Sequence, residues 1–398
     1  MILKSRNINT MLGRGLKKLP VLAVLSLSLS FGLTSCESVY DNRDECVHGI
    51  KLKFVYDYHM EPGANSFFRN VDCVTVYVFD NEGNYLEKYT ETSDQLMNDN
   101  YRMILPLDEG DYRLMVYGGV SCEKNSFEIN ESSWTSRGSA NDILVTLPLS
   151  SEGVSNTKLH DIEERTGGLF YGYSIDTNNP AAIGSPESMT VSVTNDDFDT
   201  DYTEHTVYMM KNTNNIQVIL QELSAPTEVD YNDYEFEIVD DNFKHDVNNN
   251  AISVLEQYSR PKYTPYAAEN RISGYVTPIY RDGAPVEPDY SHPVQVACAE
   301  FSTSRLYVDN LEKCKLVIRS VEKRNSDGSP KEIISLPLIN YLALTRGFGS
   351  SWIKSDQEYL DRQSNWNLMF FLRDGVWISG VISVNDWTVR VNNIELGH

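Results

Sequence analysis

The chain has 398 residues, of which 57 are acidic and 34 basic, giving a net charge of −23. A protein this acidic repels the phosphate backbone, so the composition excludes a nucleic-acid partner. At roughly 100 to 200 residues per domain, the length predicts two domains, each able to bury a core.

Residues 1–35 predict a bacterial lipoprotein signal peptide. Positions 1–20 carry five basic residues and no acid, and an apolar run follows at 21–33. This run is too short to cross a bilayer, which takes roughly 20 apolar residues, so it indicates the core of a signal peptide. Small residues then lead to Cys36. Its sulfur is the expected site of diacylglycerol attachment, and its amino group is expected to be acylated after cleavage.

Lipidation at Cys36 predicts attachment to the outer membrane, facing the cell surface. Removing residues 1–35 leaves 363 residues with 29 basic and 57 acidic side chains, a net charge of −28. Such a surface repels anionic lipid, so the acyl chains alone are expected to hold the protein on the membrane. Residues 36–45 are polar and without periodicity, and we interpret them as a tether.

From residue 46 onward the pattern is one of short β-strands. Segments rich in Val, Ile, Tyr and Leu are separated by Asp, Asn, Gly and Pro, and residues 189–194 alternate strictly between apolar and polar. This pattern is typical of a β-sandwich. The first series of strands is predicted at 50–56, 73–79, 101–107, 111–117, 142–149 and 189–194.

A second series of strands begins near residue 204, after an acidic and unpatterned stretch that we interpret as a domain boundary. We therefore expect an all-β chain with antiparallel sandwiches at 46–203 and 204–398. Helices are predicted only at 156–166 and 355–363, too few for the alternating strands and helices of a parallel sheet. The second series of strands is predicted at 205–210, 215–221, 233–239, 272–279, 293–302, 313–321, 331–338, 366–372, 376–384 and 387–392.

The sequence carries no familiar catalytic or metal-binding motif. It lacks a nucleophile elbow, a zinc-protease helix, a Walker loop and a dinucleotide-binding fingerprint. The seven histidines are scattered, and the acidic stretch at 197–201 is not followed by the glycine and glutamate of a calcium loop. We therefore expect neither an enzyme nor a metal centre, and no cofactor besides the lipid.

Five cysteines remain once Cys36 is lipidated, an odd number for an oxidising compartment, and none forms a C-x-x-C pair. Cys298 and Cys314 lie in neighbouring predicted strands and can form a disulfide. Two of the other three can also pair, and buried free thiols are the alternative at every position. These other three cysteines are Cys46, Cys73 and Cys122.

Four of the five tryptophans fall within the last 47 residues. Exposed together on one face, they would form a platform on which sugar rings stack. Because Trp366, Trp377 and Trp387 stand at the starts of predicted strands, we favour core packing over a platform for the group. They are Trp352, Trp366, Trp377 and Trp387.

Several stretches of the chain together match the pattern of a known family, and they cover nearly all of the mature chain. The most specific are residues 357–362, with the sequence Gln-Glu-Tyr-Leu-Asp-Arg, and the closing tryptophan strand. The full set is 46–56, 74–83, 101–107, 109–119, 357–362, 369–372 and 382–389. On these residues the chain resembles the fimbrillin-associated anchor and minor fimbrial subunit lipoproteins of Bacteroidetes.

The resemblance implies two tandem transthyretin-like antiparallel β-sandwiches and a non-catalytic subunit at the base of surface fimbriae. It implies partners that are other fimbrial subunits, joined by strand addition, in which a groove in one sandwich accepts an extended strand of a neighbour. An inserted strand satisfies exposed backbone groups and fills an apolar slot. The alternative function is a cell-surface glycan-binding lipoprotein of a nutrient uptake system.

In stem subunits of this kind an arginine-specific protease removes the first strand, whereas anchors are thought to stay intact. The resemblance makes Arg43, in the tether, and Arg69, after the first strand, the candidate cleavage sites. We predict that the strand at 50–56 stays in place. Long loops at 121–140 and 240–270 depart from the family pattern, and we interpret them as tolerated insertions in preference to partner-specific loops.

Overall fold

The structure is a computed structural model. All the residues that it describes belong to one compact unit, residues 48–398. The described residues are 49–61, 63–119, 126–136, 138–149, 168–173, 189–194, 202–275, 289–310, 313–347, 352–384 and 387–392. Most of them lie in β-strands, as predicted for an all-β chain. None of the helices in these ranges is both long and apolar enough to cross a membrane.

Nine described strands precede residue 195. They are β1 (Ile50–Val55), β2 (Val74–Asp80), β3 (Tyr85–Glu91), β4 (Met103–Leu105), β5 (Gly110–Gly118), β6 (Glu128–Ile129), β7 (Leu144–Thr146), β8 (Phe170–Tyr173) and β9 (Thr190–Val193). Two single-turn helices lie among them, α1 (Phe67–Asn70) and α2 (Glu131–Trp134).

Twelve described strands follow. They are β10 (Thr203–Lys211), β11 (Thr213–Glu222), β12 (Tyr234–Val239), β13 (Lys244–Asp246), β14 (Lys262–Tyr263), β15 (Ala267–Tyr275), β16 (Asp289–Ser304), β17 (Lys315–Arg324), β18 (Pro330–Pro337), β19 (Asn365–Arg373), β20 (Val376–Val384) and β21 (Trp387–Asn392). Helices α3 (Leu338–Ala343) and α4 (Asp356–Arg362) lie between β18 and β19.

The described strands form four sheets. The largest has the order β3-β2-β5-β8-β10-β1-β4, and β9 pairs with β5 beside this path. A six-stranded sheet has the order β15-β16-β11-β19-β20-β21, and a four-stranded sheet has the order β14-β12-β17-β18. The smallest sheet, β13-β7-β6, joins strands from both halves of the chain.

The prediction of purely antiparallel sheets is wrong at two places. β1 runs parallel to β10, and β11 runs parallel to β19. Both pairs join strands about 150 residues apart, and the alternation of side chains along a strand carries no information about the direction of its neighbour.

Strand β10 lies on the far side of the expected domain boundary at 203/204, yet it pairs with β1 and β8 of the first sheet. By hydrogen bonding, the first sheet therefore extends to Lys211. The division into two transthyretin-like domains stays a prediction.

Two apolar clusters fill the interior. One lies within the first sheet and includes Ile50, Leu52 and Phe54 of β1, while the larger one joins residues from both halves of the chain. The burial of β1 alternates along its length, as expected for a strand with one face in a core. The chain thus encloses β1 in one core and connects its two halves through the other.

Candidate assembly site

Strand β1, the segment that the family resemblance singles out, is paired on both sides. It runs parallel to β10 along its whole length, from Ile50 opposite Thr203 to Val55 opposite Tyr208. On its other side, residues 50–52 pair with β4 in the antiparallel direction. Removing β1 would therefore open a slot between β10 and β4, with unpaired backbone groups on both walls.

The inward side chains of β1 fill this slot. Leu52 is completely buried and Phe54 is 5% exposed. The ring of Phe54 stacks on Phe67 of α1 at 5.1 Å, and the ring of Tyr56 meets Phe170 of β8 edge to face at 5.2 Å. Each fully buried side chain of this size contributes about 1.5 to 3 kcal/mol, so β1 is held firmly by apolar contact as well as by backbone pairing.

Arg69, one of the two candidate cleavage sites, lies on α1 with its side chain exposed. Its guanidinium lies 5.2 Å from the centroid of the Phe68 ring. The backbone around it is hydrogen-bonded, because the Arg69 amide donates to the Ser66 carbonyl and the Val71 amide to that of Phe67. The bond after Arg69 therefore lies in a closed turn, and a protease needs local unfolding to reach it.

The remaining predicted site residues are placed as follows. Cys36 and Arg43 lie outside the described residues. Cys73 is disulfide-bonded, and its partner is not among the described residues. Cys298 and Cys314 are both free and buried, so the predicted bridge between them is not formed.

The two free thiols are separated because they belong to different sheets. Cys298 lies inside β16 of the six-stranded sheet, opposite Ile219 of β11 and Glu269 of β15. Cys314 precedes β17 of the four-stranded sheet and is completely buried. Burial raises the pKa of Cys298 to about 11 and that of Cys314 well above its usual value, so both remain protonated packing groups.

Helix α4 contains the most specific stretch of the family resemblance, and its polar side chains bind surrounding loops. Ser355 caps the helix by accepting a hydrogen bond from the Glu358 amide at 3.1 Å. The side-chain amide of Gln357 accepts from the Val308 amide at 2.9 Å and donates to the Leu306 carbonyl at 3.0 Å. The Gln357 side chain therefore pairs with the backbone of the loop after β16 in the way that a neighbouring strand would.

Asp361 of α4 forms a bidentate ion pair with Arg305. Nε and Nη2 of Arg305 donate to the two carboxylate oxygens, each at 2.7 Å, and the Asp361 side chain is 4% exposed. Nη1 of Arg305 donates to the carbonyl of Asn249 at 2.8 Å. Each partner of this pair needs the other, because removing one would leave the other as a buried, uncompensated charge.

A buried polar network continues from Arg305. Tyr307 also donates to the Asn249 carbonyl, at 2.9 Å, and the side chains of Asn249 and Asn212 exchange hydrogen bonds at 2.6 and 3.1 Å. His245 lies beside them, within 2.7 Å of the Ser304 hydroxyl, and burial lowers the pKa of His245 to about 4. Because Asn212 directly follows β10, the network connects the end of the first sheet to α4.

Arg362, the last residue of α4, contacts the loop after β1. Its guanidinium carbon lies 4.0 Å from the Tyr58 ring centroid and 5.0 Å from that of Trp352. Its Nε donates to Glu358 at 2.9 Å and its Nη1 to the His59 carbonyl at 3.4 Å. Together, Gln357, Asp361 and Arg362 make α4 a polar clamp on the surrounding loops.

Sequence reasoning singled out residues 357–362 but missed the partners of the polar clamp. Arg305, Asn249 and His245 belong to segments that the sequence pattern presents as a strand end and an inserted loop. The sequence offered no direct signal for these partners, because the burial of Asp361, which calls for a cationic partner, is visible only in the structure. Among the described residues, no group of three or more His, Cys, Asp or Glu side chains could hold a metal ion.

The tryptophans pack mostly in the core. Trp366 and Trp377 are 1% and 5% exposed, which confirms the prediction of core packing for both, and Trp134 is completely buried. Trp352 is 40% exposed and stacks on Arg362. The side chain of Trp387 lies outside the described set. The described tryptophans therefore form no exposed aromatic platform.

Comparison with known proteins places this architecture in a family. The profile of the fimbrillin-A associated anchor proteins Mfa1 and Mfa2 matches residues 43–393. A candidate adhesin of Bacteroides thetaiotaomicron, solved by crystallography, is 37% identical with a TM-score of 0.66, over 87% of this chain and 99% of that chain. No curated protein matches.

Two further solved structures resemble the chain. One, from the same organism, is described as candidate polysaccharide-binding proteins; it is 26% identical, with a TM-score of 0.63 over 87% of this chain and 99% of that chain. The fimbrial anchor protein Mfa2 of Porphyromonas gingivalis shares the fold. It is 16% identical, with a TM-score of 0.56 over 86% of this chain and 99% of that chain. On the family profile, which covers most of its length, the chain belongs to the fimbrillin-A associated anchor proteins.

Proposed function

We propose that this protein is the lipid-anchored base subunit of a surface fimbria, held in the outer membrane by acyl chains on Cys36 and joined to other subunits by strand addition. The observation that carries the proposal is membership of the anchor family across residues 43–393. The charge of the chain supports attachment through lipid, because a net charge of −23 disfavours contact with anionic headgroups.

The pairing of β1 is compatible with a position at the base, and the family profile carries the choice of the base over the shaft. A shaft subunit opens a slot for its neighbour by losing its first strand, whereas in the uncleaved chain β10 and β4 enclose β1 and its apolar side chains fill the slot. An anchor terminates the filament, so it has no need to open this slot.

Strand addition also needs an open sheet edge, and the edges of this protein differ. β18 begins and ends with proline, which cannot donate to a ladder, and carries charged residues in between. β21 pairs with β20 over six residues, and no further described strand pairs with its outer side. The edge at β21 therefore suits an added strand better than the edge at β18.

The alternative, a glycan-capturing lipoprotein of an uptake system, is less well supported. One relative is described as candidate polysaccharide-binding proteins. However, the aromatic platform expected for such a receptor is absent from the described residues, since Trp134, Trp366 and Trp377 are buried. The family proteins give no indication of catalysis, and we propose that the protein has no enzymatic activity.

Deleting the gene and replacing it with the Cys36→Ala variant tests the proposal. We expect the variant to fold and to shed its fimbriae into the medium, because the lipid is the only attachment. Cys298→Ala, which changes a buried thiol and leaves Cys36 intact, is the matched control and should retain fimbriae. Cells that keep normal fimbriae with Cys36→Ala would show that the protein does not anchor them through lipid.

A further inference from the structure

A polar cleft of about 260 Å³ lies where the first sheet meets the segment after α4. Its walls come from three places: the loop and helix after β1, the end of β10, and the residues that lead from α4 into β19. The volume is close to the lower end of the range for small-molecule sites, roughly 300 to 1,000 Å³. The cleft therefore suits a ligand the size of one or two sugar rings.

The charges around the cleft balance. Lys211 and Arg362 contribute two positive charges, and Glu61 contributes one negative charge. The second negative charge is Glu358, which pairs with Arg362 at 2.9 Å. A phosphate or carboxylate ligand would meet no net positive charge here, and the acidic chain as a whole would repel it. The electrostatics therefore favour a neutral ligand.

The polar groups of the cleft are held in fixed orientations. Nδ1 of His59 accepts from the Glu61 amide at 3.1 Å, and its Nε2 lies 2.9 Å from the Ala64 carbonyl and 3.1 Å from the Ser66 hydroxyl, so the orientation of the ring is fixed. Asn70 donates one amide hydrogen to the Ser66 carbonyl at 2.7 Å. Pre-organised donors and acceptors lower the entropic cost of binding.

From this lining we propose that the cleft binds a neutral saccharide unit, such as a terminal sugar of a surface glycan. Sugar hydroxyls donate and accept at once, which matches a wall that mixes the amides of Asn70 and Asn365, the hydroxyl of Ser66 and the opposite charges of Lys211 and Glu61. A peptide would need an apolar slot or a free strand edge, and the cleft offers neither. This binding is separate from fimbrial anchoring.

The first experiment measures binding of methyl glycosides to the purified full-length protein in mild detergent, by saturation-transfer NMR and calorimetry. The probes are the neutral methyl glycosides of glucose, galactose, mannose and N-acetylglucosamine, and methyl glucuronide as the charged counterpart. We expect at least one neutral glycoside to bind at millimolar concentration and methyl glucuronide to bind more weakly. Absence of binding by all neutral probes would overturn the proposal.

Variants locate the binding. Asn70→Leu is expected to weaken the affinity about tenfold, because it removes a hydrogen-bonding amide from the wall. Asn81→Leu, in the exposed turn between β2 and β3, is the matched control and should bind like the wild type. Unchanged affinity in Asn70→Leu would place the sugar elsewhere and contradict the proposal.

A change of charge tests the electrostatic argument. Glu61→Gln keeps the size of the exposed side chain and leaves the cleft with one excess positive charge. We expect this variant to gain affinity for methyl glucuronide and to retain the neutral glycoside. If the wild type already binds methyl glucuronide more tightly than every neutral probe, the proposed neutral ligand is wrong. Retention of fimbriae by Asn70→Leu cells would show separately that anchoring does not use the cleft.

Discussion

Strand β1 and helix α4 are both short segments that hold larger parts of this protein together, but they do so with opposite chemistry. β1 uses buried apolar side chains and a backbone ladder on each side. α4 uses an ion pair, a side-chain amide that binds a loop, and a guanidinium stacked on two aromatic rings.

The difference separates two mechanical tasks. Apolar burial and backbone pairing tolerate many sequences, so a strand of this kind can be exchanged between subunits without loss of fit. A buried bidentate ion pair tolerates almost no change, because removal of either partner leaves a buried charge. We infer that β1 fills a generic slot, whereas the polar clamp of α4 fixes one arrangement of the two halves of the chain.

The largest expected effect is on the polar clamp. Asp361→Asn keeps the shape of the side chain but leaves Arg305 charged and buried, which we expect to lower the free energy of unfolding by about 3 to 5 kcal/mol. Asp356→Asn on the same helix breaks only an exposed pair with Arg346 and should cost less than about 1 kcal/mol. Urea unfolding of both variants measures the difference, and equal losses would refute the role of the clamp.

The next effect concerns the slot of β1. Leu52→Ala removes a completely buried side chain and should cost about 3 kcal/mol, whereas Leu52→Met, which conserves volume, should cost less than about 1.5 kcal/mol. We thus expect β1 to tolerate a substitution that conserves the volume of the side chain, whereas α4 should not tolerate Asp361→Asn, which conserves its shape. A Leu52→Met variant that is as unstable as Asp361→Asn would remove the distinction.

A smaller effect is the pH dependence of stability that comes from two buried groups, Asp240 and His245. Burial raises the pKa of Asp240 to about 6. Protonated Asp240 therefore contributes to the free energy of unfolding at low pH, and this contribution is lost as the pH rises through about 6. Burial lowers the pKa of His245 to about 4, so its contribution is present above about 6.5 and is lost as the pH falls towards 4. Between about pH 7 and pH 5 the two effects oppose each other.

Asp240→Asn removes one of these two effects. The amide oxygen of asparagine can still accept from the Asp241 amide and from Asn310, as Oδ1 of Asp240 does at 2.7 and 3.0 Å. As the pH falls from about 7 to about 5, the free energy of unfolding of the variant should decrease by about 1 kcal/mol more than that of the wild type. The reason is that the loss due to His245 is no longer offset by the gain due to Asp240. Urea titrations at both pH values measure this difference. If the stability of the variant and of the wild type changed equally with pH, the pKa of Asp240 would not be raised.

The smallest expected effect is that of a cut after Arg69. Limited digestion with an arginine-specific protease should cleave slowly, since the bond lies in a hydrogen-bonded turn. The released fragment should stay bound under native conditions because β1 is paired with β10 and β4, and it should separate in urea that contains a reductant, which opens the disulfide of Cys73. A fragment that leaves the native protein during size-exclusion chromatography would mean that β1 is held only by its covalent connection.

Much of the secondary structure could be predicted from the sequence, because strands with one buried face alternate visibly. The predicted strand at 376–384 is observed as β20 with the same bounds, and the predicted helix at 355–363 is observed as α4. β3 was missed because most of its side chains are exposed on both faces and show no alternation. The helix predicted at 156–166 lies outside the described residues.

What the sequence could not provide is the set of long-range partners. The parallel pairing of β1 with β10 depends on how distant strands meet, and local patterns carry no such information. The loop at 240–270, interpreted as a tolerated insertion, instead supplies Asn249 and His245 to the buried network. Cys298 and Cys314 are near in sequence but lie in different sheets, so their spacing was a misleading sign of a disulfide.

The central claim is that the protein acts as an intact, lipidated anchor whose first strand stays in place. Mass spectrometry and N-terminal sequencing of the protein extracted from the outer membrane of fimbriated cells test this claim most directly. We predict a mature chain that begins at Cys36, carries acyl chains and includes β1. A mature chain that begins at Asn70, immediately after Arg69, would contradict the claim and would identify the protein as a shaft or tip subunit.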